Sequence, residues 1–507
     1  MKKLDIGVIV TTLIIVTISC SLAFFAARVV GEPKDINLVA KNVAITFNDT
    51  SIIANGVVSP GWNTTKTFTI TNNSKEEYKY NISIKDLINT FVTEGYLQYK
   101  ITSTNGYNMT EFKDIPKSSV PKDTILAYSV SIPVGVTQNY TIEFKYANDE
   151  SVDQSDDMGR KLSGTLFITE GTEEPVTLLS QILNDNPTRS TRSNNNNGTN
   201  DFATPLTATT TGTLFTSTES ITGITDSPKE VYYYAGNTTN NWVKFAGLYW
   251  RIIRTNHDSS IRLLYVGTSH DTTDGNIGTS KFNISDNSPK YAGYKYGEDT
   301  SLDTIRNNTT DSTIKTFIDS WYETNLTNYT KYLSTSAVYC NDRSLGTGQT
   351  YSVSSGFNFA PYYRMDPATK AAKANPSYNC TDIRDAFSVD NTSAKLDYPV
   401  SLMTADEIAF AGGVAYQEMN TPYAWFISNS VGTQVSSFWW SLSPSNLNDG
   451  RASVWNWNSD NANLNHSHVD TANAVRPAIS LKSCIKYSTG DGTSESPYEI
   501  VETSSGC

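Results

Sequence analysis

The chain has 507 residues, 18% of them charged, with 39 lysines and arginines against 51 aspartates and glutamates. A net charge of −12 supplies no basic footprint for phosphate contacts, which excludes nucleic acid as a partner. Length predicts roughly two to four domains, and asparagine, threonine, serine and tyrosine carry much of the polarity.

Residues 6–27 carry no charge and at helical rise span roughly 33 Å, enough for a bilayer core. Lys2 and Lys3 before the segment and Arg28 after it favour an N-terminus inside. Phe24 and Phe25 stand two residues upstream of Ala26 and Ala27, where a cleavage site wants small residues. Residues 1–31 are therefore expected to be a cytoplasmic stub and an uncleaved transmembrane anchor. The protein would be single-pass in the cell membrane, with the bulk of the chain extracellular. Of five cysteines, Cys20 lies in this segment, leaving Cys340, Cys380, Cys484 and Cys507. An even set beyond an export signal predicts two disulfides in an oxidising compartment. Three pairings are open. Cys340–Cys380 and Cys484–Cys507 close the shorter loops and are preferred, each worth about 3–4 kcal/mol in the chain-entropy picture.

Over 32–170 the period is two. Phe68 and Ile70 alternate with Thr67, Thr69 and Thr71, and Tyr78, Tyr80, Ile82 and Ile84 repeat the pattern, as do Tyr140, Ile142, Phe144 and Tyr146. Ser59-Pro60-Gly61, Asn72-Asn73-Ser74 and Asn105-Gly106 punctuate it. This predicts an all-β antiparallel sandwich, interrupted by a brief helix over 84–91. The stretches PGWNTTKTFTITNNSKEEYKYNISI and DQSDDMGRKLSGTLFI resemble the camelysin and TasA-like matrix proteins of bacterial surfaces. That resemblance implies a structural or spacer sandwich able to self-associate. Residues 171–228 open with a short helical piece, VTLLSQIL. They continue as PTRSTRSNNNNGTNDFATPLTATTTGTL, which lacks an apolar face and reads as a flexible linker.

From 229 to 507 the pattern is mixed. VYYYAGN reads as a strand, Trp242 to Arg254 as a hairpin turning at Ala246-Gly247, and IRLLYV as a further strand. Asp311 to Leu326 changes to helical spacing with Asp311 as its cap. A second helix starts at Thr404, with Glu407 completing a capping box and Gly412-Gly413 ending it. This is an α+β plan. The hairpin, SWYETNLTNYTKYL, CNDRS, LMTADEIAFAGG, WWSLSPS and VRPAISLK resemble a bacterial surface-protein family. Its C-terminal module is similar to the C-type-lectin and formylglycine-generating-enzyme folds. The resemblance implies a C-type-lectin-like α+β domain and supports pairing Cys340, in CNDRS, with Cys380. An oxidising enzyme of the formylglycine type would need a closely spaced cysteine pair to ligate copper. None exists here, so no enzymatic activity is expected.

The stretch from Trp425 to Leu481 holds five of the nine tryptophans, interleaved with asparagine and serine. Flat aromatics beside short polar groups suit an adaptable contact surface. The expected ligand-binding residues are Trp439, Trp440, Asn446, Asn448, Asp449, Arg451, Trp455, Asn456, Trp457, Asn458, Asp460, Asn461, His466 and His468. Trp455 and Trp457 share one face of a strand, and either face could be core. On a strand, His466, His468 and Asp470 would also share a face, a donor set suited to zinc or non-haem iron. Asn456, Asn458 and Asp460 offer alternate oxygens, and Trp-Asn-Ser-Asp resembles the tryptophan-asparagine-aspartate motif of calcium lectins. Ser459 is inserted, and the proline-centred partner motif is missing. No cofactor is expected, calcium being the alternative weighed. Asp406 and Glu407 are accounted for by helix capping. The reading is a membrane-anchored surface protein whose lectin-like module binds an extracellular glycan or protein. The competing reading is a structural matrix protein with a passive module, and a third makes Asn446 to Asp470 a diversified segment.

Overall fold

The computed structural model describes residues 56–93, 95–192, 202–206, 213–270, 275–366, 374–419, 438–503 and 506–507, and the backbone of strands at 26–29, 36–40 and 43–49. Two compact units divide the chain, Met1–Glu174 and Pro175–Cys507.

In the first unit, one sheet runs in the order Gly56–Val57, Ala26–Val29, Lys161–Glu170, Tyr78–Asn89, Ser118–Ile132. The other runs Ile36–Ala40, Val43–Asp49, Asn63–Asn72, Thr137–Tyr146, Leu97–Ser103, Lys113–Asp114. Alternation turns Phe68, Ile70, Tyr140, Ile142 and Phe144 into one buried cluster that both sheets share. Phe68 and Tyr140 face each other in register, their rings stacked at 5.0 Å. The helix expected over 84–91 does not form, because the Tyr78–Asn89 strand runs through it. Register slips on either side of Asp86, itself at φ 52°, carry both Ile84 and Leu87 to the core. A bulge thus imitates helical spacing.

The expected membrane anchor is corrected. Residues 6–25 lie outside the described residues, but Ala26 and Ala27 at the end of the expected span belong to a strand. It runs parallel to Lys161–Gly164. Backbone groups shared with a neighbouring strand are not those of a helix that satisfies its own. No helix among the described residues is long and apolar enough to cross a membrane. The single-pass placement in a cell membrane falls with it.

The second unit is mostly sheet, with few helices. Its larger sheet has Thr213–Glu219, Lys229–Ala235, Leu248–Thr255, Trp242–Phe245 and Tyr498–Ile500 as successive neighbours. Ile261–Gly267 joins Leu248–Thr255 to Pro477–Leu481. The Trp242–Thr255 hairpin turns at Ala246 and Gly247, both at positive φ (56° and 72°), as a tight hairpin turn requires. Residues 213–219, assigned to the linker on composition, pair along their whole length with Lys229–Ala235 and bury Leu214. Threonine-rich composition hides a strand there, while 193–201 and 207–212 lie outside the described residues. The helix Leu178–Asp185, capped by Thr177, also belongs to this unit. Thr313–Asn325 is helical with Ser312, not Asp311, as its cap; Asp311 instead pairs with Lys295 and Lys315. Both preferred disulfides form, with Cα separations of 5.8 Å for Cys340–Cys380 and 5.6 Å for Cys484–Cys507.

The helix Ala405–Ala411 has the expected capping box of Thr404 and Glu407. Glu407 also takes Arg254 at 2.7 Å and Arg262 at 2.6 Å, and Arg254 reaches Glu219 at 2.8 Å. These side chains are all buried. Such a network locks the helix to the larger sheet by charge as well as by packing.

Candidate functional site

The smaller sheet of the second unit holds the tryptophan-rich stretch. Phe438–Asn448 pairs with Arg451–Asn458, which pairs with Asn463–His468. Trp439, Trp440, Trp455 and Trp457 are all buried, the most exposed at 2%. Trp455 and Trp457 do share a face, and it packs with Ile408 of the Ala405–Ala411 helix, Met403 and Leu464. Trp440 enters the opposite core against Phe282 and donates its Nε1–H to Ser280 O at 2.9 Å. Both faces of these strands are covered, so the tryptophans do not form a stacking platform.

The polar candidates scatter. Asn446, Asn456 and Asn458 are buried. Asn456 bonds to the Ser467 hydroxyl at 2.6 Å, and Asn458 Oδ1 accepts from the amides of Asp460 and Asn461 at 3.0 and 3.3 Å. The Asn458 oxygen is thus committed inside the fold, and Asn446 and Asn456 are buried away from a surface calcium. Asn448, Asp449 and Arg451 sit at one end of the Arg451–Asn458 strand, Asp460 and Asn461 beyond the other. Eight extended residues keep those ends about 23 Å apart. One small ligand does not touch both.

His466 and His468 are the candidates the structure brings into company. Both are half-buried on one face of the Asn463–His468 strand. His466 Nδ1 bonds to the Tyr416 hydroxyl at 2.8 Å, and His468 Nδ1 to Ser453 Oγ at 3.2 Å. Tyr362, Tyr416, Trp455 and His466 form one ring cluster. The His466 centroid lies 5.7 Å from Trp455, 6.0 Å from Tyr416 and 6.2 Å from Tyr362. Trp455 is 5.8 Å from Tyr362 and 5.7 Å from Tyr416. Buried Asp366 lends the cluster negative charge. Burial, Tyr362 and Asp366 together push the Tyr416 phenol well above its ordinary range, and burial and Asp366 raise Tyr362. Burial and His468 push His466 down against the opposing pull of Asp366. At neutral pH Tyr362, Tyr416 and His466 are therefore neutral donors and acceptors beside that charge. Tyr416, 42% exposed, sits at φ 57°, a left-handed conformation unusual for a bulky residue.

Sequence reasoning reached His466 and His468 but missed Tyr362, Tyr416 and Asp366. No local pattern marks a tyrosine that will take a positive φ, and all three reach the strand from distant segments. Asp470, expected beside the histidines, lies past the strand end and is reached by Arg451 Nη2 at 3.3 Å. Elsewhere Asp311, Asp319 and Asp397 converge as a group that could hold a metal ion. Lys315 Nζ already lies 3.1, 2.6 and 2.6 Å from their oxygens, so an ammonium supplies the cation.

No protein-family model and no curated protein matches this chain. Among solved structures, a chain reported under "AvmM Catalyzes Macrocyclization in Alchivemycin A Biosynthesis" is similar at 12% identity and a TM-score of 0.16. The match covers 29% of this chain and all of that one. A likeness of that size carries no inference about fold or function.

Proposed function

We propose that the Pro175–Cys507 unit is a binding module for a glycan, with its contact patch centred on Tyr416. The observation that carries this reading is Tyr416 itself, an exposed aromatic held at φ 57°. For an L-residue that conformation costs roughly 1–2 kcal/mol, and strain of this kind gathers at binding sites. The ring offers an apolar face to a sugar, while Tyr416, Tyr362 and His466 offer groups that donate to or accept from its hydroxyls. The disulfides favour an oxidising compartment, where extracellular glycans are met. Binding rather than catalysis is the reading because the hydroxyls nearby are committed. Ser467 bonds to Asn456, and Ser453, which does meet the His468 ring, is buried and out of a substrate's reach.

The test is the full chain on a glycan array beside its Tyr416→Ala variant. A discrete glycan class retained by the wild type and lost by the variant is expected. A silent array, or binding indifferent to Tyr416, overturns the reading and leaves the structural alternative.

A further inference from the structure

The two histidines of the patch support a second property that does not depend on glycan recognition. We infer that His466 and His468 together bind one divalent transition-metal ion of the kind imidazole prefers: copper(II), nickel(II) or zinc.

The strand Asn463–His468 is paired through its whole length with Arg451–Asn458, His466 opposite Trp455 and His468 opposite Ser453. Positions 466 and 468 therefore project from one face with their Cα atoms about 7 Å apart. That spacing lets two imidazoles meet at one ion. Each ring is held by a hydroxyl at Nδ1, Tyr416 Oη at 2.8 Å for His466 and Ser453 Oγ at 3.2 Å for His468. When the hydroxyl oxygen accepts from Nδ1–H, the proton stays on Nδ1 and the lone pair resides on Nε2. A ligating histidine is oriented in this way, its second nitrogen donating to a fixed acceptor that sets tautomer and ring plane. Among the described residues neither Nε2 takes part in a hydrogen bond. The carboxylate that would have made a third ligand, Asp470, is engaged by Arg451. The protein would therefore supply two nitrogens and leave the remaining positions to water. Two neutral imidazole donors suit copper, nickel and zinc rather than calcium or magnesium. Within that set copper(II) should bind most tightly.

The experiment titrates the full chain, stripped with a chelator, with copper(II), nickel(II) and zinc separately by calorimetry. Electron paramagnetic resonance of the copper form is recorded alongside. Expected are one ion per chain, an affinity order led by copper, and hyperfine structure from imidazole nitrogen. The doubly substituted chain His466→Gln, His468→Gln should lose the site while His270→Gln keeps it. Tyr416→Phe and Ser453→Ala should each weaken binding about tenfold or more, as loss of an orienting partner does. Thermal melts of every variant separate a lost site from a lost fold. The inference is overturned if the double variant titrates like wild type, or if no stoichiometric ion binds. Glycan binding measured with chelator present keeps its fate distinct. Tyr416-dependent glycan binding without metal binding sinks only this inference, and the reverse sinks only the glycan reading.

Discussion

Tyr416 joins a conformational cost to an exposed aromatic, and the two can be separated by substitution. Asparagine tolerates the left-handed region, so Tyr416→Asn relieves backbone strain worth roughly 1–2 kcal/mol. It also forfeits ring contacts with Trp455 and His466 worth roughly 0.5–1.5 kcal/mol each. Urea unfolding should find a small net change, between about 1 kcal/mol stabilising and about 2 kcal/mol destabilising, while ligand binding is lost. A residue kept only for packing would instead cost stability in proportion to the area removed. At this scale the sequence was legible in part. That Trp455 and Trp457 share a face follows from strand periodicity and holds. That the face is covered does not follow, because Ile408 and Met403, which cover it, are about fifty residues away in the chain. His466 stood out by residue type, whereas Tyr416 owes its significance to a backbone angle that one-letter codes do not encode.

The Ala405–Ala411 helix shows how far a local motif reaches. Its capping box was readable from Thr404 and Glu407, and the structure reproduces it. Burial and the partners of Glu407 were not readable, since Arg254 and Arg262 come from strands some 150 residues earlier. The two capping residues should therefore differ in weight. Thr404→Ala removes one cap bond and should cost about 1 kcal/mol. Glu407→Gln leaves two buried guanidiniums short of charge and should cost about 3–5 kcal/mol. Chemical denaturation of both variants checks this, and equal costs would mean that the ion pairs contribute little beyond the cap. The same contrast of local and distant accounts for the misread elements. In the Tyr78–Asn89 strand a bulge made the spacing look helical. In Thr213–Glu219 the threonines masked a strand whose partner lies ten residues on. Hairpins with tight turns, such as Trp242–Thr255, carry their own punctuation and were legible almost to the residue.

Across the whole molecule, covalent and electrostatic ties gather in Pro175–Cys507. Both disulfides lie there, so reduction should lower the stability of that unit by about 3–4 kcal/mol per bond while leaving the Met1–Glu174 sandwich unchanged. Thermal unfolding with and without reductant, followed by hydrogen exchange to tell the units apart, checks this. The buried ion pairs make the same unit acid-sensitive. Burial by itself would raise the Glu219 carboxyl, but Arg254 and His257 outweigh it and bring it from an ordinary 4.5 to about 2. Glu407, buried yet faced by Arg262 and Arg254, is lowered as well, as is Asp342 beside Arg364. A carboxyl depressed in the folded state stabilises it fully above its ordinary pKa and loses that contribution as pH falls through the folded value. For Glu219 the window runs from pH 4.5 down to about 2, and the contribution is on the order of 3 kcal/mol. Urea unfolding of the full chain at a series of pH values should therefore show stability of the second unit falling steeply across that window. Glu219→Gln should be less stable at neutral pH and flatter between pH 4.5 and 2, since it has no proton to take up there. A variant with the wild-type slope would assign the acid sensitivity to Glu407 and Asp342 instead.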